Sequence, residues 1–404
     1  MSKGIPYLTA RELALNAVTP VGTERVPIGE VYGRVIAQTV AAAEHVPPFD
    51  RSPYDGYAFR SFDVRDATPD TPVTLRILEE IPAGGISHMP VTEGTAVKVL
   101  TGAPIPEGAD AVTMFEKTLF TEETVTIFHP SKYGDNIIRA GEDVKKGDIL
   151  AEAGTVVDAG LAGTLASQNI PEPLVYRIPK VGIISTGSEL TEVGKTLEPG
   201  KIYNSNYHTL SGVLQKLGCR PMYFGIAGDS EEAISGLLNQ AIEACDAVIL
   251  TGGVSVGDYD LTPAAMERSG AKLLFRGVAL KPGMACAYGV KDGKLICGLS
   301  GNPASSVTNF YAVACPAIGK LRGLGNYLPR EIEVTLAADF KKRSISTRML
   351  RGTLDLSDGT VRMRIPKDQG NVVLSSTIGC DVMAVVPAGS GPVAAGTKLK
   401  GFLL

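Results

Sequence analysis

No apolar run in this 404-residue chain approaches the roughly 18 residues that a membrane-spanning helix needs, so no helical span is expected. The opening segment MSKGIPYLTARELAL lacks an apolar signal core and reads as the start of a helix. The six cysteines are scattered without a CxxC pair, and the four histidines do not cluster. This argues against a disulfide framework or a structural zinc site and fits a reducing cytoplasm, the expected location. Positive charge is not in surplus either. Lys+Arg total 39 against 43 Asp+Glu, a formal net charge of −4, so nucleic acid is not the expected partner. There is no GxGxxG and no Walker loop. Gly252 and Gly257 have the Walker spacing, but Asp258-Tyr259 stands where Lys-Ser/Thr is required.

What the chain has is glycine and proline, 46 and 26 residues, which implies many specially shaped loops. Its length suggests about three domains of ordinary size. Residues 1–178 alternate short strand-like runs with turns and read as an α+β region of two intertwined lobes, with helices expected at 10–17, 31–43 and 159–168. PEPLVYRIPK looks like a linker. From Val181 strands and helices alternate: KVGIIST, a helix bearing Leu210, Val213, Leu214 and Leu217, then PMYFGIAG. A helix striped by Ile234, Leu237, Leu238, Ala241 and Ile242 follows, then DAVILTGG and a helix with Thr262 before Pro263. That rhythm predicts a doubly wound parallel sheet covered on both faces, with ligands beyond the carboxyl ends of its strands. Residues 328–404 lose the rhythm and read as a small β-barrel or sandwich.

Chemistry gathers at the strand ends. Ile183-Ile184-Ser185 runs into Thr186-Gly187-Ser188-Glu189, and Val248-Ile249-Leu250 runs into Thr251-Gly252-Gly253-Val254-Ser255. In the first half Val97-Lys98-Val99-Leu100 runs into Thr101-Gly102. Small residues after a buried strand let backbone N–H groups converge on a phosphate, although one such turn alone is an ordinary strand exit. Glu189, Asp229, Asp258 and Asp260 follow core strands closely, and acids beside a phosphate site call for a bridging hard cation such as Mg²⁺. The bland alternatives stay open: Asp229-Ser230-Glu231-Glu232 is a capping box, so Asp229 could only cap its helix, and Asp260 could belong to a turn. Lys281-Pro282-Gly283 and Ser300-Gly301-Asn302-Pro303-Ala304-Ser305 follow later elements, the second feeding a helix. Pro47-Pro48-Phe49-Asp50-Arg51-Ser52-Pro53-Tyr54-Asp55-Gly56-Tyr57 is too rich in proline and aromatics for an ordinary loop, and Asp55-Gly56 suggests a tight turn.

PPFDRSPYDGYAFR, TGAPIPEGADAV, IRAGEDVKKGDIL, VGIISTGSEL, KIYNSN, ILTGGVSVGDYD, LKPG and GNPASS together resemble the MoeA family, which includes the gephyrin E domain and plant molybdenum insertases. The resemblance implies an N-terminal α+β region with an inserted β lobe (1–178), a MogA-like doubly wound α/β domain that binds molybdopterin (179–327) and a C-terminal β-barrel (328–404). It implies a reaction that takes adenylylated molybdopterin and molybdate and gives molybdenum cofactor and AMP. Mg²⁺ would be held by Asp229 and Asp260. It also implies a homodimer in which Asp55, Thr101 and Asp143 of one subunit complete a catalytic site with Glu189, Asp229 and Asp260 of the other. A MogA-type adenylyltransferase is a further implied partner; neither nucleic acid nor membrane is. The residues expected to bind substrate are Thr186, Gly187, Ser188, Asn204, Ser205, Thr251, Gly252, Gly253, Ser255, Gly257 and Asp258. To these are added Gly301, Asn302 and Pro303, and for molybdate Lys281, Pro282, Gly283, Ser305 and Arg348 or Arg351. Three departures from the family pattern fall near the molybdate segments: Met284-Ala285 after Gly283, Ser300 in place of proline, and Thr377-Ile378-Gly379-Cys380. Two other readings compete, a non-catalytic pterin-binding or scaffold relative and a CinA-like nucleotide hydrolase that shares only the α/β domain.

Overall fold

The computed structural model describes residues 4–254, 261–357 and 359–404. The chain divides into two compact units, one comprising Thr39–Glu152 with Ala159–Pro171, the other the residues up to Gln38, Ala153–Asp158 and Glu172–Leu404.

The smaller unit is built on a six-stranded mixed sheet in the order Ala111–Met114, Gly56–Phe59, Thr95–Val99, Val73–Ile81, Thr124–Ile127, Thr118–Phe120. Gly56–Phe59 is buried along its whole length because it lies between two antiparallel neighbours and is covered on both faces. Tyr57, Phe59 and Leu75 join one core cluster, while Ala58, Val97 and Val112 join the other. The expected Asp55-Gly56 turn is instead the entry into this strand. Gly56 is needed because a Cβ there would lie 2.0 Å from the Thr113 carbonyl oxygen, so only glycine permits that strand pairing.

In the larger unit a second six-stranded sheet runs Arg220–Ala227, Lys180–Thr186, Ala247–Thr251, Lys294–Leu299, Cys286–Lys291, Lys272–Arg276. Alternate residues of each strand feed opposite faces. Ile183, Ile249, Leu295 and Cys297 pack with Leu210 and Leu214 of helix Ser205–Lys216. Ile184, Val248, Leu250 and Ile296 pack with Ile234, Leu238 and Ile242 of helix Glu231–Ala244. This is the doubly wound arrangement, with one difference from the parallel sheet expected. The first four strands are parallel, but Cys286–Lys291 joins them antiparallel, and Lys272–Arg276, antiparallel to it, returns to their direction. The cause is local: Asp292 and Gly293 both have positive φ, 53° and 72°, and make a two-residue hairpin between Lys291 and Lys294.

A closed barrel follows. Glu331–Leu336, Thr347–Asp355, Arg362–Arg364, Val382–Val386 and Lys398–Leu403 form a ring of five strands, completed by pairing of Thr347–Asp355 with Val382–Val386. The short strand Leu280–Lys281 adds to its outside, parallel to Thr347–Asp355. The helix expected at 31–43 does not form. Gly33 takes φ 75°, and Val35 and Ile36 bridge to Val156 and Val175 before the strand Val40–Ala41. Five β-branched residues among Val31, Val35, Ile36, Thr39 and Val40 favour extended pairing over a helix.

Candidate active site

Thr186 and Thr251 end neighbouring parallel strands, and their exits are packed on one another. The Thr186 hydroxyl donates to the Thr251 carbonyl at 3.0 Å. Gly252, at φ 100°, sits so close that a Cβ would lie 2.5 Å from Thr186 O. Gly253, at φ 61°, faces Thr262, whose hydroxyl donates to Gly252 O at 2.8 Å. Thr262 lies in the first turn of helix Leu261–Arg268 and fastens the loop.

These turns open on a cavity of about 830 Å³, within the range that encloses a nucleotide-sized ligand. Of the residues singled out from sequence, Thr186, Gly187, Ser188, Glu189, Asn204, Ser205, Asp229, Gly252, Gly253, Gly301, Asn302 and Pro303 line it. Glu189 folds back over Gly187, where a Cβ would lie 2.3 Å from Glu189 Oε2. Asp229 Oδ2 accepts the Ser188 backbone N–H at 3.0 Å. Ser230 is the residue that caps helix Glu231–Ala244, accepting from Ala233 N, so Asp229 is free of the capping role. Asn204 is buried and turned inward. Its Oδ1 accepts from Ser185 Oγ and Tyr207 N, and its Nδ2 donates to the Tyr223 hydroxyl. Ser255, Gly257, Asp258 and Asp260 lie outside the described residues.

Three contributors escaped the sequence reading. Lys201 Nζ donates to Ser188 O at 2.6 Å, bringing a cation to the Ser188 loop. Asn206 Nδ2 donates to Gly301 O at 2.8 Å, and Glu192 accepts the Tyr223 hydroxyl at 2.6 Å. Lys201 and Asn206 lie in the KIYNSN segment, which was singled out as a whole without assigning either residue. Burial and the Glu192 carboxylate raise the Tyr223 pKa far above its ordinary value, so this phenol stays protonated.

A second group lies around the Pro303–Asn309 helix. Gly283, at φ 106°, abuts Ser305 O and Asn309, and Ser305 is buried. Lys281 stands in backbone register with Arg348 across the Leu280–Lys281 pairing. Arg348 Nε donates to Ser344 Oγ at 3.2 Å. Arg351, near enough to feel the charge of Arg348, is wholly buried, and its guanidinium donates to Ser376 Oγ, Thr308 Oγ1 and Gly370 O.

In the smaller unit Asp55 Oδ1 accepts both the hydroxyl and the backbone N–H of Thr101, each at 2.7 Å. These bonds hold the Asp55 carboxyl below the usual carboxylate range, the hydroxyl bond contributing most. Asp143 is exposed, its backbone N–H bonded to Val46 O.

The family model described as "MoeA N-terminal region (domain I and II)" matches residues 5–168, and one described as "Probable molybdopterin binding domain" matches residues 182–320. A molybdopterin molybdenumtransferase of Staphylococcus aureus is 36% identical over 394 residues, covering 97% of this chain and 94% of the relative. The chain belongs to the MoeA family. It thereby belongs among the proteins of molybdenum cofactor biosynthesis. A molybdopterin molybdenumtransferase of Staphylococcus epidermidis is 38% identical over 82% of this chain and 79% of its own. A crystal structure of a MoeA molybdopterin biosynthesis protein from Pyrococcus horikoshii superposes with a TM-score of 0.84 at 32% identity, covering 99% of this chain and 100% of that one. The MoeA architecture thus extends through the C-terminal barrel, beyond the last residue of either family model.

Proposed function

We propose that the protein is a molybdenum insertase, a transferase that takes adenylylated molybdopterin and molybdate and releases molybdenum cofactor and AMP. The observation that carries this reading is the cavity where two Thr-Gly exits, the start of helix Pro303–Asn309, Glu189 and Asp229 meet. Small residues at the exits and the Ser188 and Ser205 hydroxyls in the lining suit the phosphates of such a substrate. A divalent cation fits the same place, because Asp229 and Glu189 offer hard carboxylate oxygens and Asp229 Oδ1 accepts from no described residue. Asp229 and Asp260 are the proposed holders of Mg²⁺, with Glu189 lining the same cavity as Asp229. When bound, Mg²⁺ supplies positive charge against the pyrophosphate bond that breaks as AMP leaves.

The remaining tasks belong to side chains of this chain. Lys201 fixes the Ser188 loop, and the Thr186–Thr251 contact fixes the strand exits that cradle phosphate. Lys281 and Arg348 hold the molybdate oxyanion. Molybdenum passes to the dithiolene sulfurs of the pterin, soft ligands that suit it. The reading needs no protein thiol as a ligand: Cys219, Cys245, Cys286 and Cys297 are buried, and the partly buried Cys380 donates to Ser376 O. In a homodimer, Asp55, Thr101 and Asp143 of one subunit complete the site around Glu189, Asp229 and Asp260 of the other.

Incubation with adenylylated molybdopterin, Mg²⁺ and molybdate tests the reading. AMP release and cofactor formation should rise together. Tight pterin binding without AMP release, at any concentration of molybdate or tungstate, would replace the insertase with a scaffold.

A further inference from the structure

The amino ends of the same parallel strands open on a second cavity, of about 790 Å³, which the reaction proposed above does not use. Five cationic side chains line it: Arg34, Arg177, Lys180, Arg220 and Arg322. Lys180 and Arg220 start neighbouring strands, and Arg322 follows helix Cys315–Leu321. Two of the five are neutralised. Arg34 is paired with Glu24, and Arg177 makes a two-pronged bond to Asp246 at 2.8 and 3.2 Å. Lys180, Arg220 and Arg322 have no carboxylate partner among the described residues. Glu24 is the one acid in the lining, and it is committed to Arg34.

The arrangement is held from beneath. The Arg322 guanidinium lies over Gly218, where a Cβ would come within 2.6 Å of its Cζ, and it donates to Gly33 O at 2.5 Å. Arg34 donates to Tyr176 O at 3.0 Å, while its Nε is buried with no hydrogen-bond partner among the described residues. A buried guanidinium N–H without an acceptor is costly, and three unpaired cations sharing one concavity repel each other. A bound anion would relieve that repulsion. The Cys219 thiol also lines the cavity, but burial pushes its pKa up to about 12, so it stays protonated and the cavity is suited to binding without thiol chemistry.

We propose that this cavity is a binding site for a tetrahedral dianionic oxyanion, free or as the terminal phosphate of a small ester, remote from the reaction at the carboxyl ends of the strands. Its donors are the guanidinium groups of Arg220 and Arg322 with the ammonium of Lys180. Guanidinium forks match such an anion in charge and geometry.

The chain contains no tryptophan, and Tyr32 stands at the rim of this cavity, 72% exposed. Tyr32→Trp therefore places a single fluorophore there, blind to events in the other cavity. Titrating the Tyr32→Trp protein with inorganic phosphate at low salt should give a saturable fluorescence change. Adding Arg220→Gln or Lys180→Gln, both exposed and safe for folding, should weaken the apparent affinity about tenfold each. Adding Arg322→Gln should weaken it at least as much. Tighter binding of AMP than of phosphate assigns the site to a phosphate ester; equal affinity assigns it to the free oxyanion. The proposal fails if phosphate and AMP give no saturable change through the millimolar range. It fails equally if the change persists undiminished in the Arg220→Gln and Lys180→Gln backgrounds. AMP release from adenylylated molybdopterin should be unaltered in these variants, so loss of this site and loss of the proposed reaction are separable.

Discussion

The backbone N–H of Ser188 donates to Asp229 Oδ2 at 3.0 Å, tying the loop after strand Lys180–Thr186 to the loop after its parallel neighbour Arg220–Ala227. An asparagine at 229 could still accept that bond through its amide oxygen, but it carries no charge. Asp229→Asn should therefore abolish AMP release while changing stability by no more than about 0.5 kcal/mol. Activity assays and thermal melts of the same preparation check this. Undiminished turnover would mean that Asp229 only fastens loops.

Asp55 offers a pH test. Its folded pKa is depressed, first by the Thr101 hydroxyl and then by the Thr101 amide. A depressed carboxyl contributes stability above its unfolded pKa, about 3.9, and loses it as pH falls through the folded value. Thr101→Val removes the hydroxyl and keeps the amide. The Asp55 carboxyl should then titrate at higher pH, and this part of the stability should be lost earlier on acidification. Carboxyl NMR titration reads the first effect and acid unfolding the second. An unchanged Asp55 titration would show that the hydroxyl bond contributes little.

Assembly is tested by complementation. Asp55→Ala and Asp229→Ala should each be inactive as homodimers. Mixed heterodimers should regain activity, because each carries one intact composite site and one doubly damaged one. Full activity in a dilute monomer would overturn the composite site.

The molybdate contacts separate two arginines of one strand. Arg348 stands in backbone register with Lys281, whereas Arg351 is buried among hydroxyls and a carbonyl. Arg348→Met should raise the molybdate requirement several-fold. Arg351→Met should leave it unchanged and shift stability by no more than about 1 kcal/mol, since removing an unpaired buried charge offsets the bonds lost. Titrations of turnover against molybdate, with melting temperatures, decide between them.

Met284 is 46% exposed and supplies no hydrogen-bond donor from its side chain. A second lysine beside Lys281 would strengthen oxyanion binding by roughly 1 kcal/mol in a partly dehydrated site. Met284→Lys should accordingly lower the molybdate requirement several-fold and leave pterin affinity unchanged. No effect would mean that Arg348 already fills the role.

The sequence by itself determined the parts that depend on short-range pattern. Buried β-branched strands alternate with striped helices from Val181 onward, and that periodicity makes the two-faced α/β layer legible, although not the antiparallel hairpin at Asp292-Gly293. Thr186-Gly187 and Thr251-Gly252 were legible as strand exits because glycine after a buried strand marks a sharp turn. Tertiary structure decided what depends on distant neighbours. Residues 31–43 are extended because Val35 and Ile36 find Val156 and Val175, partners more than a hundred positions away. Gly56 is explained by the carbonyl of Thr113, and the burial of Arg351 by Thr308 of helix Pro303–Asn309 and by Gly370 and Ser376, which meet it on the outer face of the barrel strand. Arg34, Arg177, Lys180, Arg220 and Arg322 carry no motif along the chain. They become a site only when folding sets strand starts and loops around one cavity, because charge acts through distance in space and desolvation, and neither is written in sequence order.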